Sequence, residues 1–383
     1  MLPPMPPLRG LTVVALEQAV AAPFASRQLA DLGARVIKVE RPGGGDFARA
    51  YDETVRGMSS HFVWLNRSKE SIAVDVKTDR GRRIVEALVG RADVFVQNLA
   101  PGAAQRLGLG ADVLRSRHPG LIHCSISGFG EGGPSCRKKA YDLLIQCEAA
   151  LLSVTGTAQT PVKVGISVAD IAAGMYAYTG ILTALLRRAR TGEGATIEIS
   201  MLEALAEWMG HPLNYAMYGG TAPARSGASH AAIAPYGPFR CAGAAQVFLG
   251  VQNEREWAVF CADVLRRPEL STDVRYASNS RRLANREALT AVIERTFADL
   301  PMAEVEARLD GAGIANARLR DLAGLAEHAQ LAARGRWREV DSPVGPLRAL
   351  VPPATFVDEE PVMGPVPALG QHTEAILAEL ELP

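Results

Sequence analysis

The chain has 383 residues, of which 48% are apolar and 21% are charged, and its formal net charge is zero. This composition is that of an ordinary globular protein, long enough for one large domain and a smaller one. The balanced charge gives no electrostatic reason to expect binding to nucleic acid or to an anionic membrane surface.

Two further features narrow the class of protein. The first ten residues, MLPPMPPLRG, are rich in proline and lack the apolar core of a signal peptide, so we expect a cytoplasmic protein. The cysteines show neither CxxC nor Cys/His ligand spacing, which predicts a reducing compartment and no metal site. They are Cys124, Cys136, Cys147, Cys241 and Cys261.

The first half of the chain alternates apolar strands with helices. Strands are predicted over 11–16, 35–40, 71–76, 93–97, 121–127 and 195–200, with helices over 21–32, 79–90 and 111–117 between them. Repeated units of this kind predict a Rossmann-like, doubly wound parallel α/β sheet. The turn after the first strand, residues 17–22, lacks GxGxxG, so we expect no dinucleotide cofactor.

The second half predicts a smaller α+β domain. A helix is expected over 201–217, a hairpin over 235–251, amphipathic helices over 254–265, 286–300 and 302–312, and a last short helix over 371–381 after a loop-rich tail. We therefore place the large domain at 1–205, completed by 340–383, and the small domain at 225–325. The linkers are then about 206–224 and 326–339.

One acidic residue stands at the start of a long apolar helix, predicted over 171–190. This helix carries no charge from Ile171 to Leu186, and its cations lie in the last turn, where they suit the helix dipole. Its apolar stretch is shorter than the roughly twenty residues that a bilayer requires, which favours a buried core helix. Ser167 or Asp170 suits the N-cap position, so on local grounds Asp170 is either a cap or a nucleophile.

An ordered set of short motifs resembles the family III CoA-transferases, of the formyl-CoA and carnitine CoA-transferase type, over nearly the whole chain. The set comprises residues 11–16 with Pro23, the run LGARVIKVERP at 32–42, Asn66 and Lys69 before the third strand, Asn98 to Gly102 with Arg106, Gly128 to Gly130 with Gly133 and Pro134, Tyr141 with Asp142, Gly156, and Asp170.

The resemblance implies that Asp170 is the catalytic nucleophile, which forms aspartyl anhydrides and an aspartyl-CoA thioester with an acyl-CoA substrate. It implies no permanently bound cofactor and an interlocked homodimer. The residues implied to contact CoA are Arg41, Lys69, Asn98, Arg106 and Lys139, with Tyr141 lining the thioester pocket or, alternatively, buried in the core.

The substrate acids are less well defined. Val20 stands where formyl-CoA transferases have glutamine, so the formyl assignment does not carry over. Arg225 and His230 lie in a loop near the acceptor site that the resemblance implies. They favour a short dicarboxylate such as succinate, itaconate, mesaconate or glutarate, with succinyl-CoA as one donor.

Two other functions are weighed against CoA transfer. The 2-methylacyl-CoA racemases share the fold and the aspartate but carry a histidine at the position of Tyr141, because racemisation requires an acid and a base on opposite faces. This difference argues against a racemase. A non-catalytic acyl-CoA-binding protein is the third possibility.

Overall fold

The computed structural model describes residues 5–220, 222–354 and 356–382. The chain forms two compact units. The first contains the residues up to Leu151, Val164–His211 and the residues from Gln330 onward, and the second contains Leu152–Lys163 and Pro212–Ala329.

The described residues contain eleven strands. In chain order they are β1 (Thr12–Leu16), β2 (Arg35–Glu40), β3 (Lys69–Ala73), β4 (Val94–Gln97), β5 (Ile122–Ser127), β6 (Ala195–Ser200), β7 (Tyr236–Arg240), β8 (Gln246–Gly250), β9 (Ala315–Arg318), β10 (Trp337–Val340) and β11 (Leu347–Leu350).

The α-helices between and after the strands are also numbered in chain order. They are α1 (Ala21–Asp31), α2 (Ser60–Asn66), α3 (Asp79–Gly90), α4 (Ala103–Arg106), α5 (Ala111–Arg117), α6 (Asp142–Glu148), α7 (Leu151–Val154), α8 (Val168–Thr191), α9 (Met201–Trp208), α10 (Gly210–Gly219), α11 (Glu254–Val259), α12 (Asn279–Ala284), α13 (Arg286–Phe297), α14 (Met302–Gly311), α15 (Leu322–Ala326), α16 (Ala329–Ala333) and α17 (Thr373–Glu379).

The first unit is built on a six-stranded parallel sheet with the order β3-β2-β1-β4-β5-β6. Successive side chains of β1 enter two different cores, with Val13 and Ala15 on one face and Val14 and Leu16 on the other. The sheet is therefore buried on both faces, as parallel sheets are. The strand order changes direction between β1 and β4, a position where open parallel sheets bind ligands.

Helix α8 is a 24-residue element that packs along α1. By length and composition it could span a membrane, with a mean hydropathy of 1.3, but core helices pass the same test. Its buried face is made of small residues, among them Ala169, Ala173 and Ala177. Gly174 lies where α1 approaches most closely, since a Cβ there would be 2.6 Å from the carbonyl oxygen of Ala21.

The second unit has an antiparallel sheet in the order β7-β8-β9 and a core of its own. Its helices α13 and α14 and the π-helical segment Phe260–Val264 supply buried side chains such as Ile293, Leu309 and Phe260. This matches the α+β organisation expected from the sequence.

The structure differs from the expected organisation in three places. Residues 152–163, expected in the large domain, belong to the second unit, whereas the chain returns to the first unit at Gln330, within the predicted linker 326–339. The helix expected over 201–217 is two helices, because α9 ends at Trp208 and α10 begins at Gly210. The tail expected to be loop-rich contains the antiparallel pair β10 and β11.

Candidate active site

Asp170 lies in the first turn of α8, and a residue distant in sequence caps this helix. Ser167 occupies the N-cap position, but its side chain makes no capping hydrogen bond. Instead, Asp142 accepts hydrogen bonds through Oδ1 from the backbone N–H groups of Ala169, at 2.7 Å, and Asp170, at 3.3 Å. Ser167 thus has the predicted N-cap position, but the side chain that caps the helix is that of Asp142 and not that of Ser167 or Asp170.

The capping carboxylate is itself held in place. Its Oδ2 accepts a hydrogen bond of 2.6 Å from Nε2 of Gln146, which is fully buried on α6. The Oε1 atom of Gln146 accepts from the N–H of Val164 at 3.0 Å. A continuous chain of hydrogen bonds thus runs from the segment before α8, through two side chains of α6, to the first turn of α8.

The carboxylate of Asp170 meets the start of α1. The backbone N–H of Ala21 donates a hydrogen bond to it, which favours the ionised form. Burial and the negative charge of Asp142 act in the opposite direction and prevail, so the pKa of Asp170 is raised to about 7. A helix N-terminus favours an ionised carboxylate, but here the capping residue Asp142 supplies a competing negative charge. A carboxylate of this kind is suited to act as a nucleophile or as a base near neutral pH.

The loop after β1 positions the start of α1 at this site. Asn98 binds both backbone groups of Gln18, accepting from its N–H and donating to its carbonyl oxygen, each at 2.8 Å. Ala19 has a left-handed φ of 61°, and its N–H donates a hydrogen bond of 2.9 Å to Asp46. Val20 then enters α1 as a buried residue, with 4% of its surface exposed. Asn98, predicted to contact CoA, therefore holds the loop that ends at Ala21.

A buried ionic cluster lies beneath this loop. Glu17 accepts from Lys38 at 3.2 Å and from Lys69 at 2.7 Å, and Asp46 accepts from Lys38 at 2.7 Å. The side chains of all four residues are inaccessible to solvent. Burial opposes ionisation of Glu17, but the two lysines outweigh it and lower the pKa of this carboxyl to about 2.

Lys69 does not present its charge to solvent, although we predicted that it contacts CoA. Its Nζ donates to Glu17, to the carbonyl oxygen of Pro23 at 3.1 Å and to Asn66 at 3.0 Å. An ammonium group has three donors, so this geometry leaves none for a ligand. Lys69 is a structural residue in this conformation.

A cavity of about 480 Å³ lies at the carboxyl ends of β4 and β5. Its volume is in the range of small-molecule and cofactor sites. Arg106 lines it, as does Arg137, while the other predicted CoA contacts do not. The lining residues are Gln97, Leu99, Ala100, Pro101, Gly102, Ala104, Gln105, Arg106, Ser125, Ile126, Ser127, Gly130, Glu131, Gly132, Cys136, Arg137 and Glu198.

The other predicted CoA-binding residues lie on the surface of the first unit. Arg41 is exposed, donates through Nε to the carbonyl oxygen of Gly45 and stacks its guanidinium 4.6 Å from the ring centroid of Phe47. Lys139 is also exposed. Tyr141, at the N-cap position of α6, is 71% exposed, so the core alternative for this residue is wrong.

Arg225 and His230 belong to the second unit. Arg225 donates to the carbonyl oxygens of Thr157 and Ala158, at 2.8 and 2.9 Å. His230 stacks on Tyr236 and accepts through Nδ1 from the N–H of Ala232. Its neutral ring therefore carries the proton on Nε2, where it is a hydrogen-bond donor.

Sequence reasoning missed several residues of this site. Asp142 was noted as part of a motif, but its capping of α8 was not foreseen, and neither Gln146 nor Ala21 was singled out. Tyr51 was also missed, although it interacts electrostatically with both Asp170 and Tyr141. The basic run Arg137-Lys138-Lys139 was the available signal for Arg137. Within the described residues, no group of His, Cys, Asp and Glu side chains is arranged to hold a metal ion.

These features define a class of α/β protein. The first unit has a parallel sheet with a ligand-sized cavity at its carboxyl edge, and it has the Asp170 carboxylate at the start of a core helix. This arrangement suits an enzyme that transfers a group through a carboxylate nucleophile.

Comparison with known proteins gives the family. The model of CoA-transferase family III matches residues 8–373, and the chain belongs to this family. It is 35% identical to the succinyl-CoA:glutarate CoA-transferase of Mus musculus over 98% of this chain and 87% of the mouse protein. It is 37% identical to the acetyl-CoA:oxalate CoA-transferase of Acetobacter aceti over 86% of this chain and 85% of that protein. The protein is therefore a transferase that moves CoA between carboxylic acids.

Solved structures agree in fold. A CAIB/BAIF family protein from Brucella suis has a TM-score of 0.85 at 34% identity, covering 98% of this chain and 100% of that one. A hypothetical protein from Mycobacterium tuberculosis has a TM-score of 0.87 at 29% identity, covering 98% of this chain and 100% of that one.

Proposed function

We propose that the protein transfers CoA from an acyl-CoA to a short dicarboxylate, with Asp170 as the nucleophile. The supporting observation is the position of Asp170. Its backbone is fixed by Asp142, its carboxylate accepts a hydrogen bond from Ala21, and its surroundings raise its pKa to about 7. A strongly acidic carboxylate would attack a thioester poorly, whereas this one is both more basic and substantially ionised at neutral pH.

The first half of the reaction moves CoA onto the enzyme. The Asp170 carboxylate attacks the thioester carbonyl, a C–O bond forms, the C–S bond breaks, and CoA leaves as a thiolate. The thiolate then attacks Cγ of Asp170 in the mixed anhydride, which releases the donor acid as a carboxylate. The enzyme now carries an aspartyl-CoA thioester, and no net proton has moved.

The second half moves CoA onto the acceptor. The incoming carboxylate attacks Cγ of the aspartyl thioester, so that a C–O bond forms, the C–S bond breaks, and a second anhydride and free CoA thiolate result. The thiolate then attacks the acceptor carbonyl and regenerates the Asp170 carboxylate. The N–H of Ala21 is placed to stabilise negative charge on the Asp170 oxygens at each step.

The CoA portion is assigned to cationic residues of the first unit. Arg106 and Arg137 line the cavity at the ends of β4 and β5, and guanidinium groups suit phosphate recognition. Arg41 and Lys139 are exposed cations available for the remaining phosphates or the adenine. The strand order of this unit supports a Rossmann-like assignment.

The acceptor class rests on the relatives and on the second unit. The mouse and Acetobacter relatives are named for glutarate and oxalate, both dicarboxylates. His230 offers an Nε2 donor and Arg225 a positive charge, and both suit the free carboxylate of such an acid. We also propose an interlocked homodimer, which the resemblance to the family implies.

The test of this proposal is the Asp170→Ala variant. We expect it to lose CoA transfer while retaining CoA binding, because the side chain supplies the nucleophile and not the phosphate contacts. Wild-type protein incubated with succinyl-CoA and then hydroxylamine should be modified on the peptide containing Asp170. Asp112→Ala, which removes an exposed acid from the first turn of α5, is the control and should remain active. Appreciable turnover in Asp170→Ala contradicts the mechanism.

A further inference from the structure

The transfer mechanism has no step for the negative charge of Asp142, yet this charge is built into the site. A neutral acceptor is sufficient to cap a helix, and Ser167 already occupies the N-cap position. The chain instead uses a carboxylate from α6, 28 residues before Asp170 in sequence. That carboxylate is oriented by the fully buried side chain of Gln146.

This arrangement places two carboxylates together at one helix N-terminus. Asp142 Oδ1 binds the N–H of Asp170 itself at 3.3 Å, so the two carboxylates meet at the same turn of backbone. Two anions held at one helix turn disfavour each other's ionisation, and Asp142 does raise the pKa of Asp170. A cap alone would not produce this effect, because serine or asparagine would bind the same N–H groups without charge.

We propose that Asp142 is a positioning residue for CoA transfer, which fixes the first turn of α8 and holds a second negative charge at the turn that carries Asp170. This inference rests on the proposed role of Asp170. Nucleophilic attack on a carbonyl becomes faster as the basicity of the attacking group rises, provided that enough of the group remains ionised. The second carboxylate thus increases the reactivity of Asp170 at the expense of a smaller ionised fraction at acidic pH.

The groups around Asp170 support this assignment. Burial and Asp142 on α6 raise the pKa of Asp170, and the Ala21 N–H on α1 lowers it. Tyr51 also interacts electrostatically with Asp170, which contributes, after burial and Asp46, to raising the pKa of Tyr51. Among the residues that the structure describes, α9, β5 and β6 add no charged side chain to the groups that shift Asp170.

A paired substitution separates charge from capping. In Asp142→Asn combined with Gln146→Glu, the introduced amide oxygen can still accept from Ala169, and the introduced amide nitrogen can donate to the new glutamate carboxylate. That carboxylate can in turn accept from Val164. Every hydrogen bond in the series from Val164 to Ala169 is kept, although the one between positions 142 and 146 is reversed in direction. The negative charge moves from position 142 to position 146, one side chain further from Asp170. The single variant Asp142→Asn removes the charge entirely and can keep the cap oxygen, but its amide nitrogen then faces the Nε2 donor of Gln146 and that hydrogen bond is lost.

The measurement is the pH dependence of Asp170 labelling. Each protein is mixed with succinyl-CoA without acceptor, quenched at short times, and assayed by mass spectrometry for hydroxylamine modification of the peptide containing Asp170. We expect the pH of half-maximal labelling to fall by about one unit in both variants, and the plateau rate at high pH to fall several-fold. Thermal denaturation verifies that the variants fold. If the paired variant does not fold, the labelling midpoint of the single variant is compared with that of the wild type.

The outcomes are distinct. An unchanged labelling midpoint in a folded variant would show that Asp142 is only a cap and would overturn the inference. Absence of labelling at Asp170 in the wild type at every pH would instead refute the proposed nucleophile.

Discussion

At the scale of single residues, the site depends on the unfavourable burial of one carboxylate. Burial and Asp142 raise the pKa of Asp170 from an ordinary 3.8 to about 7. Because the folded state binds this proton more tightly than the unfolded state, Asp170 favours folding most at low pH. That contribution is lost as the pH rises from about 4 to 7. The protein therefore maintains its nucleophile at a cost in stability under the conditions in which it works.

Asp170→Asn should remove this cost. Asparagine keeps an oxygen for the Ala21 N–H but carries no charge, so we expect a melting temperature above that of the wild type at pH 8. The difference should shrink at pH 5, where the wild-type carboxyl is protonated in the folded state. Differential scanning calorimetry at the two pH values makes the comparison, with the exposed Asp112→Asn as control. A variant that is less stable than the wild type at pH 8 would contradict this account.

Which charged residues reach a ligand could not be read from the sequence. Lys69 comes just before the predicted strand 71–76 and Arg106 follows the predicted strand 93–97, and both were assigned to CoA binding. In the fold, Glu17 draws Lys69 into a buried cluster across 52 residues of sequence, whereas Arg106 remains at the cavity. The same limit applies to Asp142, because its partners Ala169 and Asp170 are brought to it only by the packing of α6 against α8.

At the scale of elements, the close packing of α1 on α8 positions the nucleophile. Gly174 is one turn beyond Asp170, and its missing side chain allows the carbonyl oxygen of Ala21 to approach. The same close approach brings the backbone N–H of Ala21 to the Asp170 carboxylate. The glycine is thus required by tertiary packing and not by helix geometry, since glycine weakens a helix interior by about 1 kcal/mol relative to alanine.

Gly174→Ala and Gly180→Ala form a matched pair in the same helix. A Cβ at Gly174 would lie 2.6 Å from the Ala21 oxygen, whereas at Gly180 the nearest atom is Ile197 Cγ2 at 3.4 Å. We expect Gly174→Ala to be destabilised by about 1–2 kcal/mol, since overpacking outweighs the gain in helix propensity, and to lose at least tenfold in kcat. Gly180→Ala should be neutral or slightly stabilised, with unchanged kcat. Urea denaturation and steady-state assays measure both, and equal behaviour of the two variants would contradict the packing argument.

The strands of the parallel sheet were predictable and the breaks between helices were not. Runs such as RVIKVE at β2 and ATIEIS at β6 are rich in β-branched residues and are bounded by turn residues. Both strands have the predicted bounds. The end of α9 at Trp208 is followed by Gly210 and Pro212, which are common at helix ends, but the apolar pattern continues beyond them into α10 and masks the break. The pairing of β10 with β11 depends on contacts that short polar strands do not reveal.

At the scale of the whole molecule, apolar side chains remain exposed in the chain segments near the boundaries of the units. Trp208 is 48% exposed, Tyr218 81%, and Leu322 83%. Met209, the residue after Trp208, is by contrast buried, with 8% of its surface exposed. Large exposed apolar side chains in chain segments that join two units are consistent with a surface covered by a second subunit. The chain also crosses between the units at residues 152–163, as well as near 211 and 329.

An interlocked homodimer makes two measurable predictions. Light scattering at micromolar concentration should give twice the chain mass of 40.8 kDa, and the value should persist on dilution. Two separately purified preparations with different tags should not form mixed dimers when combined, because threaded subunits can exchange only by unfolding. Coexpression of the two tagged chains should give mixed dimers and serves as the positive control. A monodisperse monomer would refute the dimer, and rapid exchange of folded subunits would refute the interlocking while leaving an ordinary dimer.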